Sequence, residues 1–197
     1  VGALFGEPGE RIQVRQPAAV SRPIDADSLV EAVEPGGALS STLDGYEYRS
    51  QQVDMMRQVA QAFNEGRHLL IEAPTGVGKS LAYLLPAATF AVQNDSRVVI
   101  STNTINLQEQ LITKDIPRLQ EALRLPLRAA VLKGRRNYLC PRRLAALRRR
   151  GPTSTEEMQI LAKVLVWLTE NQSGDPNEIS LRGSVEAALW GRLSAED

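Results

Sequence analysis

The chain has 197 residues, 43% hydrophobic and 23% charged, with 14 Gly and 11 Pro, enough for one ordinary core or one core with an appendage and not the composition of a fibrous or wholly disordered protein. Its longest mostly apolar run, Leu81 to Val92, is broken by Pro86 and is too short for about 30 Å of hydrocarbon, no basic-then-apolar leader opens the chain, and one cysteine excludes an internal disulfide framework, so no membrane role is expected and the expected compartment is the cytoplasm. Zero formal charge hides an asymmetry: between Ala122 and Thr155 there are ten basic residues and no acidic one, leaving 13 basic against 23 acidic elsewhere, a pattern that fits either a polyanion-binding patch or a solvated helix face.

In chain order, residues 1–44 carry Pro8, Pro17, Pro23, Pro35 and Gly36-Gly37 with seven acids against three bases, which predicts a linker or extended arm. The first residue is Val, an expectation of a processed or cut chain. From Gln51 to Phe63 the spacing of Val53, Met56, Val59 or Ala60, and Phe63 predicts a helix with one apolar face. His68 to Ile71 is a short apolar run before a Gly-rich turn, and Lys79 to Val92 then offers helix formers that Pro86 should bend. Arg97 to Ser101 is a second β-branched run, Asn106 to Leu123 a second helix that Pro117 should disturb or split, and Ala129 to Leu132 a third strand. Strands alternating with helices of this length predict right-handed parallel crossovers and an α/β middle.

Beyond Cys140 the strand signals stop. Pro141 to Arg150 is predicted helical with Pro in its first turn, Gly151-Pro152 breaks it, and Ser154 with Glu157 has capping-box spacing. Met158, Leu161, Leu165 and Leu168 form a helical apolar stripe of the kind that packs a core. Val185, Leu189 and Leu193 predict a last short helix.

Ala73-Pro74-Thr75-Gly76-Val77-Gly78-Lys79-Ser80 follows a predicted strand and opens a predicted helix, the context of a phosphate-binding loop. Gly76 and Gly78 allow backbone conformations in which consecutive N–H groups face phosphates, helped by the helix N-terminus. Lys79 is expected on the β- and γ-phosphates and Ser80 on Mg²⁺. Ala73 stands where the general pattern has Gly.

The segment Glu72 to Pro86 resembles motif I of superfamily 2 helicases, specifically the DinG/XPD group of iron-sulfur DNA helicases. Tyr46-Glu47-Tyr48-Arg49-Ser50-Gln51-Gln52 looks like that group's Q motif, in which a Gln reads adenine; the spacing selects Gln52, with Gln51 as the alternative. Ser101-Thr102-Asn103-Thr104, then Leu107-Gln108, resembles motif Ia, which implies backbone contacts to the translocated strand by Thr102, Asn103, Thr104 and Gln108. Lys133 to Cys140 is similar to the segment that supplies the first cluster cysteine, making Cys140 a metal ligand and Lys133 and Arg135 DNA contacts by resemblance. The four pieces stand in family order over residues 45–197.

What the resemblance implies is a P-loop NTPase, RecA-like, with a parallel sheet incomplete within 197 residues and a helical iron-sulfur-type insertion after it. Residues 45–135 would be the start of motor domain 1 and 136–197 the start of the insertion. The implied parent is an ATP-dependent 5′ to 3′ helicase acting on single-stranded or forked DNA, with ATP, Mg²⁺ and a 4Fe–4S cluster. Its oligomeric state is open, a monomer being the expectation. The 197 residues contain no Asp-Glu-x-His, and His68 is expected to be structural. A cluster needs four thiolates, and one is present. The chain is therefore expected to be a fragment that binds nucleotide without hydrolysing it. Two alternatives stay open: another P-loop enzyme acting on a phosphorylated substrate, and a non-catalytic nucleic-acid-binding module.

Overall fold

The computed structural model describes residues 21–43, 45–170, 173–179, 181 and 183–195; the expectations for residues 1–20 and for Asp44 fall outside them. Two compact units divide between Val131 and Leu132.

In the first unit the predicted linker is a helical clasp over residues 21–43. Helix α1 (Ala26–Val33) is capped by Asp25, whose side chain accepts from the Asp27 N–H, and α2 (Ala38–Thr42) follows. Val33 and Leu39 are fully buried, with Leu29 and Val30 beside them in the core. Two asparagines pin the start of this segment by treating it as a strand partner. Asn64 accepts from the Ile24 N–H at 2.6 Å and donates to the Ile24 carbonyl at 2.8 Å; Asn94 accepts from the Arg22 N–H at 2.6 Å and donates to its carbonyl at 3.2 Å. Four apolar side chains and four backbone bonds outweigh the Pro and Gly content that suggested an arm.

Helix α3 (Ser50–Glu65) buries Val53, Met56 and Ala60 on the predicted face and stops at Gly66, whose φ of 61° is left-handed. Helix α4 (Lys79–Gln93) runs through Pro86, and Phe63 stacks on Phe90 across the α3–α4 contact at 4.9 Å. Pro117 acts as expected. Helix α5 (Ile105–Gln110) passes into a π turn over Leu111–Asp115, where the Ile116 N–H reaches back to the Leu111 carbonyl, and α6 (Ile116–Leu123) starts again with Pro117 in its first turn.

The expected parallel sheet is not formed among the described residues: 68–71, 97–101 and 129–132 make no ladder. Their alternation survives in their exposure. Ile71, Val98, Ile100 and Val131 are half-buried, while Leu70, Val99 and Leu132 are 97%, 89% and 84% exposed. Parallel sheets occur with both faces covered, and one side of these segments is bare.

The second unit is helical: α7 (Pro141–Arg150) with Pro141 in its first turn, α8 (Thr155–Glu170) and α9 (Ser184–Leu193). Leu139, Leu144, Leu147, Ile160, Val164, Trp167, Leu168, Leu189 and Leu193 form its core, and Trp167 meets Trp190 edge-on. A short strap closes it. The Cys140 N–H donates to the Leu193 carbonyl at 2.7 Å, and the Ala195 N–H to the Tyr138 carbonyl at 2.8 Å, around the antiparallel bridge Leu139–Ser194. The predicted α8 stripe is rotated: Ile160, Val164, Trp167 and Leu168 are buried and Met158 is 59% exposed. This helix is apolar around most of its circumference, and Glu157, tied to Arg150 and Arg192, fixes which side turns inward. Val185 of the last predicted helix is likewise exposed. Among the described residues no helix is long and apolar enough to cross a membrane.

Candidate functional site

The phosphate loop is built as its glycines require. Gly76 and Gly78 have φ of 87° and 79°, values at which a Cβ is strained, and Gly78 is the N-cap of α4. The positive end of that helix therefore meets the loop. Lys79 folds back, its ammonium donating to the carbonyls of Ala73 at 2.8 Å and Pro74 at 3.3 Å. Val77 is buried and anchors the loop, and Ser80 is half-buried at the start of the helix. A cavity of about 470 Å³ opens over Thr75, Gly76, Gly78, Lys79 and Ser80, with Leu43 and Arg49 on one wall and Asp115 and Arg118 on another. Its size falls within the roughly 300–1,000 Å³ of small-molecule sites. A hard-ion ligand is available in the Ser80 hydroxyl, and the loop residues fit a Mg²⁺-bound polyphosphate.

Gln52 is 3% exposed, whereas Gln51 is exposed. The Gln52 amide does not line the cavity; its Nε2 donates to the Gly78 carbonyl at 3.0 Å, and its Oε1 accepts from the Tyr46 hydroxyl at 3.1 Å. The clasp residues on the cavity wall had no sequence signal beyond isolated leucines.

Thr104 is the N-cap of α5, its hydroxyl accepting from the Leu107 N–H at 3.3 Å, and the Thr102 hydroxyl donates to the Thr104 carbonyl at 3.1 Å. Asn103 is exposed and Gln108 half-buried. His68 is exposed on the segment before the phosphate loop.

In the second unit the cationic run divides. Lys133 is buried, its ammonium 2.7 Å from the Asp175 carboxylate, so it is an internal ion-pair partner and does not face solvent as a DNA contact would. Arg143 donates to the Ser194 carbonyl at 2.9 Å. Arg150 and Arg192 both hold Glu157, at 3.0 and 2.8 Å. Glu157 also accepts from the Thr153 N–H and hydroxyl. The Thr153 N–H, aided by the Arg150, Thr153 and Arg192 side chains and opposed by burial, holds its carboxyl at about 2. Only the first half of the expected capping box forms, with Ser154 accepting from the Glu157 N–H. Arg135, Arg136, Arg142, Arg148 and Arg149 are exposed.

Cys140 is half-buried at the N-cap of α7. Among the described residues no three His, Cys, Asp or Glu side chains converge, and with one cysteine in the chain the residues present do not fit a four-thiolate cluster.

Comparison with known proteins agrees with the loop. Residues 52–148 match the DEAD/DEAH box helicase family. The chain is 40% identical over 190 residues to the 3'-5' exonuclease DinG of Bacillus subtilis (strain 168), covering 93% of the chain and 20% of that protein. It is 37% identical over 158 residues to the ATP-dependent DNA helicase DinG of Salmonella typhimurium (strain LT2), covering 79% of the chain and 22% of the relative. It is 38% identical over 140 residues to the 3'-5' exonuclease DinG of Staphylococcus aureus (strain USA300), covering 71% and 16%. The chain thus spans about a fifth of the length of these relatives.

Proposed function

The chain belongs to the DinG-type DEAD/DEAH box helicases, P-loop NTPases, and from that premise we propose that it supplies the ATP·Mg²⁺ grip and part of the single-strand track of an ATP-driven DNA helicase. The observation that carries the reading is the cradle itself: two left-handed glycines and a helix N-terminus at the head of a cavity of about 470 Å³. On nucleotide binding Lys79 exchanges the Ala73 and Pro74 carbonyls for the β- and γ-phosphate oxygens, a stronger bond because the acceptor is then charged as well as the donor. Ser80 offers its hydroxyl to Mg²⁺; Gln52, whose amide lies off the cavity wall, has one N–H and one lone pair left over and would reach the adenine edge only by turning toward the cavity.

Thr102, Asn103, Thr104 and Gln108 follow the DNA backbone; the exposed Arg135, Arg136, Arg142, Arg148 and Arg149 of the second unit offer phosphate contacts of their own. Such contacts give affinity without sequence preference. In a longer protein Cys140 would be one ligand of an iron-sulfur cluster, three further thiolates being needed beyond the one these 197 residues carry. Translocation from 5′ to 3′ on single-stranded or forked DNA is the activity of that longer protein. With no Asp-Glu-x-His in its 197 residues, the chain binds ATP without turning it over.

The test is titration of the chain with a fluorescent ATP analogue and Mg²⁺, with and without single-stranded DNA. Saturable binding that Lys79→Ala weakens by about tenfold or more, the scale of a hydrogen bond to a charged group, is the expected result. Binding indifferent to Lys79 would overturn the reading. Turnover lost with Lys79→Ala would show a hydrolytic site that the reading lacks.

A further inference from the structure

We propose that Tyr46 is a positioning residue for the phosphate loop, acting through Gln52 on the Gly78–Lys79 peptide and independently of the nucleotide's base. This rests on the nucleotide reading above and adds to it a role for a side chain outside the loop.

The Gly78 carbonyl has two partners. It accepts the first helical bond of α4, from the Ala82 N–H at 3.2 Å, and the Gln52 amide at 3.0 Å. Both of its lone pairs are thereby used, and the plane of the Gly78–Lys79 peptide is fixed. A trans peptide is planar with its C=O and N–H opposed. Holding the carbonyl toward α3 and into α4 therefore aims the Lys79 N–H the other way, out of the helix N-terminus, where phosphate oxygens bind.

Gln52 can do this in one amide orientation. Turned over, its oxygen would face the Gly78 carbonyl, acceptor against acceptor. Tyr46 favours the working orientation by donating its hydroxyl to Oε1 at 3.1 Å. The phenol keeps its proton, since burial first and the neighbouring Tyr48 second push its pKa upward. Contact is close throughout. Gln52 is 3% exposed, and a Cβ at Gly78 would lie 1.9 Å from Nε2 and displace this amide, while the φ of 79° is what requires the glycine.

A residue that only helps read adenine affects ATP and leaves a base-free ligand alone. A residue that positions the loop affects both. The experiment measures Kd for ATP and for inorganic tripolyphosphate, each with Mg²⁺, on the chain and on Tyr46→Phe, Gln52→Ala, Gln52→Glu and Lys79→Ala, with melting midpoints recorded alongside. Tyr46→Phe is expected to weaken both ligands by the same factor, about two- to tenfold, the range for one lost hydrogen bond. Gln52→Glu, which cannot donate to the Gly78 carbonyl, should weaken both by more. Adding Tyr46→Phe to Gln52→Ala should change nothing further, whereas a packing role for the phenol would add. ATP weakened with tripolyphosphate unchanged, or full additivity of the pair, would overturn the proposal while leaving the nucleotide reading intact. Tripolyphosphate and ATP binding that both ignore Lys79→Ala would overturn that reading, and this proposal with it.

Discussion

In the unit of residues 21–131 the cation expected to act, Lys79, is exposed and tied to two loop carbonyls that a phosphate can replace. In the unit of residues 132–195 two cations of the basic run are tied to carboxylates: Lys133 to Asp175, and Arg150, with Arg192 from outside the run, to Glu157. An exchangeable tie keeps a charge available, and a buried carboxylate consumes it. Charge counted along a sequence is therefore an upper bound on charge presented to a partner. Of the ten bases between Ala122 and Thr155, Lys133 has left the polyanion-facing set, and Arg143 and Arg150 are engaged with the unit's own chain.

The largest effect should come from breaking the buried pair. Lys133→Ala leaves Asp175, 17% exposed at its side chain, without its ammonium, and removal of one member of a buried pair costs about 3–5 kcal/mol. Urea unfolding of the chain should lose stability on that scale. The double change Lys133→Met with Asp175→Asn, which keeps an acceptor for the Asn177 N–H that Asp175 caps at 3.0 Å, should recover most of it. If Lys133→Ala is neutral in urea yet lowers DNA affinity, the residue belongs with the exposed arginines after all.

Leu39→Ala tests the clasp on the other side of the comparison. Leu39 is fully buried, and truncating such a side chain costs about 2–5 kcal/mol; a linker leucine would cost nothing measurable. The same urea experiment decides it.

Local signals made part of this molecule legible. The period of Val53, Met56 and Ala60 gives α3, the glycine pair with Lys79 gives the loop and the start of α4, and Pro117 marks the π turn. Each of these depends on residues a few positions apart. The clasp was hidden because what holds it, Asn64 and Asn94, lies 40 and 72 residues from its backbone partners. Lys133 reads as a surface cation because Asp175 is also far off in the sequence. The three apolar runs were recognised, but pairing is a property of what covers both faces, and the exposed Leu70, Val99 and Leu132 show one face uncovered. At the site, Gln52 is legible as a residue type, and no local signal marks the Tyr46 hydroxyl or the Gly78 carbonyl as its partners.

The pH response sharpens the contrast further. The carboxyl of Glu157 is depressed from the usual 4.5 to about 2, chiefly by the Thr153 N–H. A group depressed in the folded state contributes stability that is complete above its unfolded value and is lost as pH falls through its folded value. The helical unit's contribution from Glu157 should thus be level from neutral pH to about 4.5 and decline between there and about 2. Glu157→Gln should flatten that decline while lowering the neutral-pH plateau. Unfolding midpoints collected across this range, with Trp167 and Trp190 as fluorescent reporters of the unit's core, check both parts.

The smallest effect on stability concerns consecutive arginines on one helix. Arg148 and Arg149 lie exposed in the last turn of α7, and Arg150 beside them is engaged with Glu157. If exposed charge is what meets a nucleic acid, Arg148→Gln with Arg149→Gln should change unfolding by no more than about 0.5 kcal/mol, the usual range for surface substitutions. Binding to single-stranded DNA should nevertheless weaken, and the slope of log affinity against log salt should become shallower by about 0.7 for each phosphate contact removed. Arg150→Gln should do the reverse, lowering stability because Glu157 loses a partner while moving the salt slope little. Fluorescence anisotropy of a labelled oligonucleotide at several salt concentrations, beside urea curves for the same variants, separates the two classes. Equal slopes for the two variants would mean that the division between engaged and available arginines does not govern binding, and that the field of the whole basic segment does.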